Sequence, residues 1–253
     1  MFGWLKRYLY KEKASLCSRD VFDIHFSSPI GIKHRLDPNG DHLFISADNN
    51  FPFVEIGPIS AEAQQDRLPN KGAKAVAEKF RKRKNNFKSL IAANIIKNNS
   101  TDLEQAARDY EYCFTTLYDY VDMFIVNVSE NGAKQLQDIE MLSEILDRLL
   151  DLRLYFNEYK PILVQISDKL PQADLDDMIH YCRMSGIDGI ATSSARHIRY
   201  IAEKTSRRFP ILSKVEFSNA AEAKELLDAG ATLLESVNPV TAAAVSRKLS
   251  KSK

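Results

Sequence analysis
The sequence predicts an α/β protein in one domain, with a closed (β/α)8 barrel or an open doubly wound sheet as its two architectures, and three observations carry that expectation. Eight short apolar runs rich in β-branched residues alternate with longer stretches of helical periodicity, the pattern of repeated βαβ units and a parallel sheet. The chain has 253 residues, and a barrel of this kind needs about 250. No low-complexity linker and no break in composition divides it. Residues 1–20 read as a short N-terminal helical segment and 21–253 as the barrel. Spacing alone leaves an open doubly wound sheet as the alternative.

The strand candidates are residues 29–33, 51–57, 87–95, 122–129, 160–167, 188–193, 209–215 and 231–237. Four helices stand out between them. The stretch from Thr101 to Tyr120 opens with Ser100 or Thr101 as a cap and Glu104 behind it, a capping-box pattern. Residues 136–156 repeat apolar side chains at three- and four-residue spacing. The stretch 171–186 starts on Pro171 with acidic residues and stops on Gly186, and 218–230 runs likewise from Ser218 to Gly230, the polarity expected of helices.

Composition excludes several classes. Hydrophobic residues at 44% and charged residues at 27% fit a soluble globular domain. A net charge of +1 leaves no global field for nucleic acid. The run KFRKRKNN, residues 79–86, reads as a solvated helix C-terminus, since no aromatics interleave its charges as in a single-strand-binding groove. Cys17, Cys113 and Cys182 form no paired motif, so no disulfide framework or zinc site is expected and a cytoplasmic setting fits. No apolar run reaches the roughly 18 residues of a membrane span, and no signal peptide is recognisable. Residues 1–13 do set Phe2, Trp4, Leu5, Tyr8 and Leu9 among Lys6, Arg7, Lys11 and Lys13. That segment reads first as a helix covering the barrel floor. The alternative is a weak peripheral contact with the inner face of a membrane.

The strand ends carry motifs. FSSPIGIKHRLDPNGD, FPFVEIGPIS, IAANIIKNNSTDLEQAARDYEYC, MFIVNVSENGAKQLQD, VQISDKL, GIDGIATSSA and AGATLLES occur in this order from about Phe26 to Lys248. Together they resemble the dihydroorotate dehydrogenase family, above all its membrane-associated, quinone-using class. That resemblance implies the closed barrel, an FMN cofactor, an orotate-like substrate at the C-terminal mouth and, often, a homodimer.

The departures from the family pattern bear on function. The family holds the FMN phosphate on glycine-rich backbone at the ends of its last two strands, where glycine permits close approach and positive φ. Here those ends read Ser213-Lys214-Val215-Glu216-Phe217 and Glu235-Ser236-Val237-Asn238-Pro239. They contain no glycine, and Pro239 lacks an amide donor. Lys214, Glu216, Glu235 and Asn238 therefore mark an altered phosphate corner. After the first strand the family's Ala-Ala-Gly becomes Lys33-His34-Arg35, Pro38 stands where the family has a lysine, and Gln165 replaces the lysine of strand five. Glu130 takes the slot of the serine base and is the candidate catalytic group. Two active-site loops of the family are missing. Asn94, Lys97, Asn127, Asn131, Thr192 and Ser193 remain as candidate ligand-binding residues, with Asn98 beside them.

Three functional expectations follow. The first is a degenerate paralogue without flavin or redox activity, serving a binding or regulatory role and taking a small molecule, if any, at the mouth. The second is an FMN-dependent oxidoreductase of pyrimidine biosynthesis with Glu130 as base. The third is a flavin-free barrel enzyme using Lys33 or Lys214 with a glutamate. Lys33, His34, Lys214, Glu216 and Glu235 are expected to converge on the mouth and pair there.

Overall fold
The computed structural model describes residues 18–33, 37–41, 51–65, 69–82, 88–129, 133–156 and 158–251. A hairpin comes first, β1 (Arg19–Val21) against β2 (Ile24–Phe26), turning through Phe22 and Asp23 at φ 59 and 60. Eight parallel strands follow: β3 (Ile30–Lys33), β4 (Phe53–Ile59), β5 (Leu90–Ile95), β6 (Met123–Asn127), β7 (Ile162–Ile166), β8 (Gly189–Thr192), β9 (Ile211–Ser213) and β10 (Leu233–Ser236). They close into a barrel with β10 pairing back onto β3. The expected closed barrel is therefore correct, and each expected strand run overlaps one of its strands, β4 extending two residues past its run to Ile59.

Seven α-helices surround it among the described residues: α1 (Gly72–Lys82), α2 (Ala106–Leu117), α3 (Ile139–Tyr155), α4 (Gln172–Ser185), α5 (Ala195–Lys204), α6 (Ala220–Ala229) and α7 (Pro239–Lys251). α4 and α6 stop on Gly186 and Gly230 in the left-handed conformation, as their sequences require. α1 ends with Lys79, Arg81 and Lys82 in its last turn, where cations suit the dipole. The remainder of that basic run lies outside the described residues. None of these helices is long and apolar enough to cross a membrane.

Two local expectations fail. The capping box at Thr101 does not form. Thr101 donates its amide to Asn98 and accepts Lys97 Nζ on its carbonyl, so it belongs to the loop. The helix begins instead with a 3-10 turn at Leu103–Gln105 and no side-chain cap. Residues 19 and 20, assigned to an N-terminal helical segment, are strand, because Val21 and Phe26 are needed inside the barrel floor. Residues 1–17 lie outside the described residues.

The barrel interior explains the placement of the site. Side chains alternate across a strand. From the floor upward, the inward positions first carry Phe53, Ala92, Ile125, Leu163, Ala191, Leu212 and Leu233, packed as one apolar cluster with Met123, Val21 and Phe26. Phe26 meets Phe53 edge to face at 5.9 Å, and Arg19 Nη1 donates to the Thr232 carbonyl at 2.5 Å. The hairpin thereby plugs the floor. Gly31 belongs to this layer because a Cβ there would strike the Phe53 ring. The outward faces bury Val54, Ile56, Phe124, Val126, Val164 and Ile190 against the helices. Cys113 and Cys182 are free, fully buried thiols, and burial pushes Cys182 up to about 12.

If the hairpin is part of the core, Phe26→Ala should lower the unfolding free energy by about 3–5 kcal/mol, measured by urea denaturation. A loss below about 1 kcal/mol would mean that the barrel closes its floor without it.

Candidate functional site
One pleat above the apolar layer, the inward positions turn polar. Lys33 follows Gly31, Glu55 follows Phe53, Asn94 follows Ala92, Asn127 follows Ile125 and Gln165 follows Leu163. On the remaining strands Ser193 follows Ala191, Lys214 follows Leu212 and Glu235 follows Leu233. Every strand contributes one polar residue at the level of the C-terminal mouth, the face where barrels of this type place their chemistry.

Most of these side chains bind one another. Lys214 Nζ bridges two carboxylates, contacting Glu55 Oε2 and lying 2.8 Å from Glu235 Oε2. Lys33 Nζ is 3.0 Å from Glu55 Oε1. Asn94 Nδ2 donates to Glu55 Oε1 and to Gln165 Oε1, both at 2.9 Å. Asn127 Nδ2 donates to Asn94 Oδ1 at 3.0 Å. The chain ends on Ser129, whose hydroxyl donates to Asn127 Oδ1 at 2.7 Å and accepts Gln165 Nε2 at 3.0 Å. Tyr110 supports it from outside by donating its hydroxyl to the Asn127 carbonyl. Glu55 is fully buried, and the Glu235 and Lys214 side chains are 3% and 7% exposed. Buried polar groups at this density need such mutual satisfaction.

The two carboxyls are pushed in opposite directions. Burial alone would raise the Glu55 carboxyl, but the charges of Lys214 and Lys33 and its hydrogen bonds overcome that and hold it well below the ordinary carboxylate range. Burial and then the negative charge of Glu55 raise Glu235 to about 8, against the pull of Lys214 and Lys33. Glu235 Oε1 is buried and faces no donor.

A family model described as dihydroorotate dehydrogenase matches residues 65–196. The chain belongs to the dihydroorotate dehydrogenase family. The quinone dihydroorotate dehydrogenase of Christiangramia forsetii is 29% identical, over 89% of this chain and 80% of that one. The corresponding protein of Alkalilimnicola ehrlichii is 31% identical, over 70% of this chain and 59% of its own length. Among solved structures, ligand-free dihydroorotate dehydrogenase from Eimeria tenella superposes with a TM-score of 0.82 over 96% of this chain and 89% of that chain. At 16% identity that likeness speaks to the fold alone.

Against the dihydroorotate dehydrogenase pattern, the expected site residues divide. Asn94, Asn127, Lys33, Lys214 and Glu235 converge as expected, joined by Gln165. Glu216 does not join them. It is exposed three residues past the end of β9, two residues beyond Lys214. Thr192 points outward and accepts the Ser194 amide at 3.2 Å, so it shapes the start of α5 and does not line the mouth. Ser193 is inward in register but exposed at the rim. Lys97 turns into its own loop, where Nζ donates to the Asn98 carbonyl at 2.7 Å and to Thr101; burial lowers its pKa, partly offset by Asp109 and Asp102. Asn98 ties that loop to Glu62, accepting its amide and donating to its carbonyl. Glu130, Asn131 and His34 lie outside the described residues. Glu55 was missed as a site residue, although a charged residue inside the apolar run FPFVEIG was its signal.

The altered phosphate corner is closed by its own side chains. Asn238 Oδ1 accepts the Val240 and Thr241 amides at 3.0 and 3.2 Å, and Ser236 Oγ accepts the Asn238 amide at 3.2 Å. Pro239, first residue of α7, has no amide to offer. At the start of α6, Asn219 Oδ1 accepts the Ala221 and Glu222 amides at 2.9 and 3.1 Å, and the Glu222 carboxylate accepts the Ser218 amide at 2.7 Å. The Lys214 and Val215 amides go to the Thr192 carbonyl and to Ser213 Oγ. These are the donors a phosphate would use at helix N-termini.

Lys214→Met should cost about 3–5 kcal/mol of stability, the usual penalty for stripping a buried charge of its partner. Adding Glu235→Gln to Lys214→Met should recover part of that loss in a double-mutant cycle of chemical denaturation. Strict additivity would show that the two side chains are not coupled.

Proposed function
We propose that this chain keeps the dihydroorotate dehydrogenase barrel but has given up FMN binding and redox chemistry for a binding or regulatory role. The observation that carries this reading is the self-paired upper layer of the barrel, together with the side chains that cap the starts of α6 and α7. FMN needs backbone donors for its phosphate and an open upper layer for its ring system. The donors at the starts of α6 and α7 are taken by Asn219, Glu222 and Asn238, and the upper layer is filled by the Lys33–Glu55–Lys214–Glu235 charges and the asparagine–glutamine chain. The residues present do not fit the cofactor, so no flavin-dependent step is derived for them. What stays open toward solvent is the rim, with Ser193 and the partly exposed Lys33. A small molecule at the C-terminal mouth would be met there.

The competing reading is a working FMN-dependent oxidoreductase with Glu130 as base. It draws support from the 29% identity to a quinone dihydroorotate dehydrogenase over 89% of the chain. The covalent-lysine reading loses ground, because Lys214 and Lys33 are both ion-paired to Glu55, and carboxylate neighbours favour the charged amine over the nucleophile.

The deciding experiment is the visible absorption of purified protein, before and after incubation with excess FMN and desalting, followed by denaturation to release any flavin. The expected outcome is a colourless protein, no released flavin, and no dihydroorotate-dependent reduction of a quinone analogue. Stoichiometric FMN with turnover would replace this reading with the competing one.

A further inference from the structure
Among the described residues six large apolar side chains are exposed, and four of them, Leu154, Tyr155, Tyr159 and Met184, sit together on the barrel floor. Arg153 is their common base. It lies over the Tyr159 ring at 4.7 Å, donates to the Gly186 carbonyl at 3.0 Å and pairs with Asp188 at 2.7 Å, at the feet of β7 and β8. Leu154 and Tyr155 follow it directly at the end of α3, and Met184 stands two residues before Gly186 at the end of α4. Leu154, Tyr155 and Met184 are 83%, 85% and 76% exposed. Single apolar side chains scattered over a surface need no explanation, but a contiguous group this exposed marks a contact surface.

Charge divides the floor. Beside the patch stand exposed Asp151 and Glu158, with Asp119, whose neighbour Tyr118 stacks on Phe156 at 3.7 Å. Arg183 is an exposed cation on this side. Beyond β8 the ends of α5 and α7 expose Arg207, Arg208, Arg247 and Lys251. A basic partner is therefore drawn to the α3–α4 side of the floor and repelled from the α5–α7 side.

We infer that the patch is the seat of residues 1–13 of this same chain. Their sequence is its complement. Phe2, Leu5 and Leu9, and likewise Trp4 and Tyr8, recur at three- and four-residue spacing. Lys6, Arg7, Lys11 and Lys13 stand among them against one acid, Glu12. The chain also delivers the segment to the correct face. Arg19 is tied to the floor where Nη1 donates to the Thr232 carbonyl at the foot of β10, and β10 lies three strands from β7 in the ring. Residues 14–18, extended, span about 17 Å, and thirteen residues at helical rise span about 20 Å. Together these exceed the roughly 30 Å diameter of a small domain, so the segment reaches the patch without leaving the floor. Its apolar side chains meet Leu154, Tyr155 and Met184, and its cations meet Asp151, Glu158 and Asp119. The seat is at the opposite end of the barrel from the mouth and is independent of whether flavin is retained.

Trp4 is the sole tryptophan of the chain, so the full-length protein reports the contact. The test is acrylamide quenching of its fluorescence, on protein whose visible absorption has been recorded because bound flavin also quenches tryptophan. Quenching should be much weaker in the folded protein than in urea. Leu154→Asp and Tyr155→Asp, at exposed positions, should leave the unfolding transition in place. Each should weaken the seat at least about tenfold, as expected for losing one buried apolar side chain, and move Trp4 quenching toward the urea level. Asp151→Lys with Glu158→Lys should do the same, and Arg208→Gln should not. Met184 gives the converse reading: its oxidation by peroxide, followed by mass spectrometry, should be slow in wild type and faster in Leu5→Asp with Leu9→Asp. Trp4 as accessible in wild type as in urea, or protection indifferent to the Leu154, Tyr155 and acid variants, would overturn the inference. Protection that fades on dilution, placing the segment on a second copy, would overturn it too. So would protection gained only with phosphatidylglycerol vesicles, placing it on a membrane.

Discussion
Lys214 brings an ammonium group into the top of the barrel, where its side chain is only 7% exposed. A lone cation there would cost several kcal/mol of lost hydration. Its two carboxyl neighbours offset that cost, and their own demands reach further. Glu55, fully buried, also takes Lys33 and Asn94. Asn94 must then place its remaining hydrogen and its oxygen, which it does on Gln165 and Asn127. Each bond fixes the rotamer of the next side chain, so the interior facing the mouth becomes a connected structure from β9 round to β6. At that level of the barrel the side chains satisfy each other.

The alternation of strand and helix made the barrel legible, because all eight strands are buried on both faces and read as short apolar runs. The helix stops at Gly186 and Gly230 were legible for the same local reason, a left-handed residue at each end. The hairpin at the floor was not. Val21, Ile24 and Phe26 look like part of an irregular approach to β3, and only their packing inside the barrel makes them strand. Thr101 misled because capping motifs describe a helix start in isolation, whereas here the loop around Lys97 claims its backbone groups first. α5 and α7 escaped individual notice because their buried faces are short, Ile198, Ile201 and Ala202 in one and Ala242, Val245 and Leu249 in the other.

In the candidate site, the sequence revealed replacements more readily than partnerships. The loss of glycine after the last two strands was visible as spelling. That Asn238 would fold back to cap α7, and Asn219 α6, depends on backbone geometry at each helix start. Glu216 and Glu235 look alike as acidic residues near strand ends. Glu235 is level with Lys214 in the sheet, whereas Glu216 lies two residues further on, past the end of β9 and in solvent. Thr192 fails by a single step of register, facing the helices where Ser193 faces the mouth.

The exchange at strand five ties these observations together. The family pattern has a lysine there, and this chain has Gln165, a neutral side chain that Asn94 and Ser129 can hold without charge. Cations enter the layer from β3 and β9 instead, flanking β10. Moving positive charge across the barrel only works if acids move with it, and Glu235 on β10 supplies the second one. Lys33, Lys214 and Glu235 are coupled through Glu55, so removing any one of them disturbs the charge balance of the buried layer. Fold and site chemistry part at this point: the lower layers hold the apolar packing that closes a barrel, while the upper layer is built of charged and polar side chains that pair with one another.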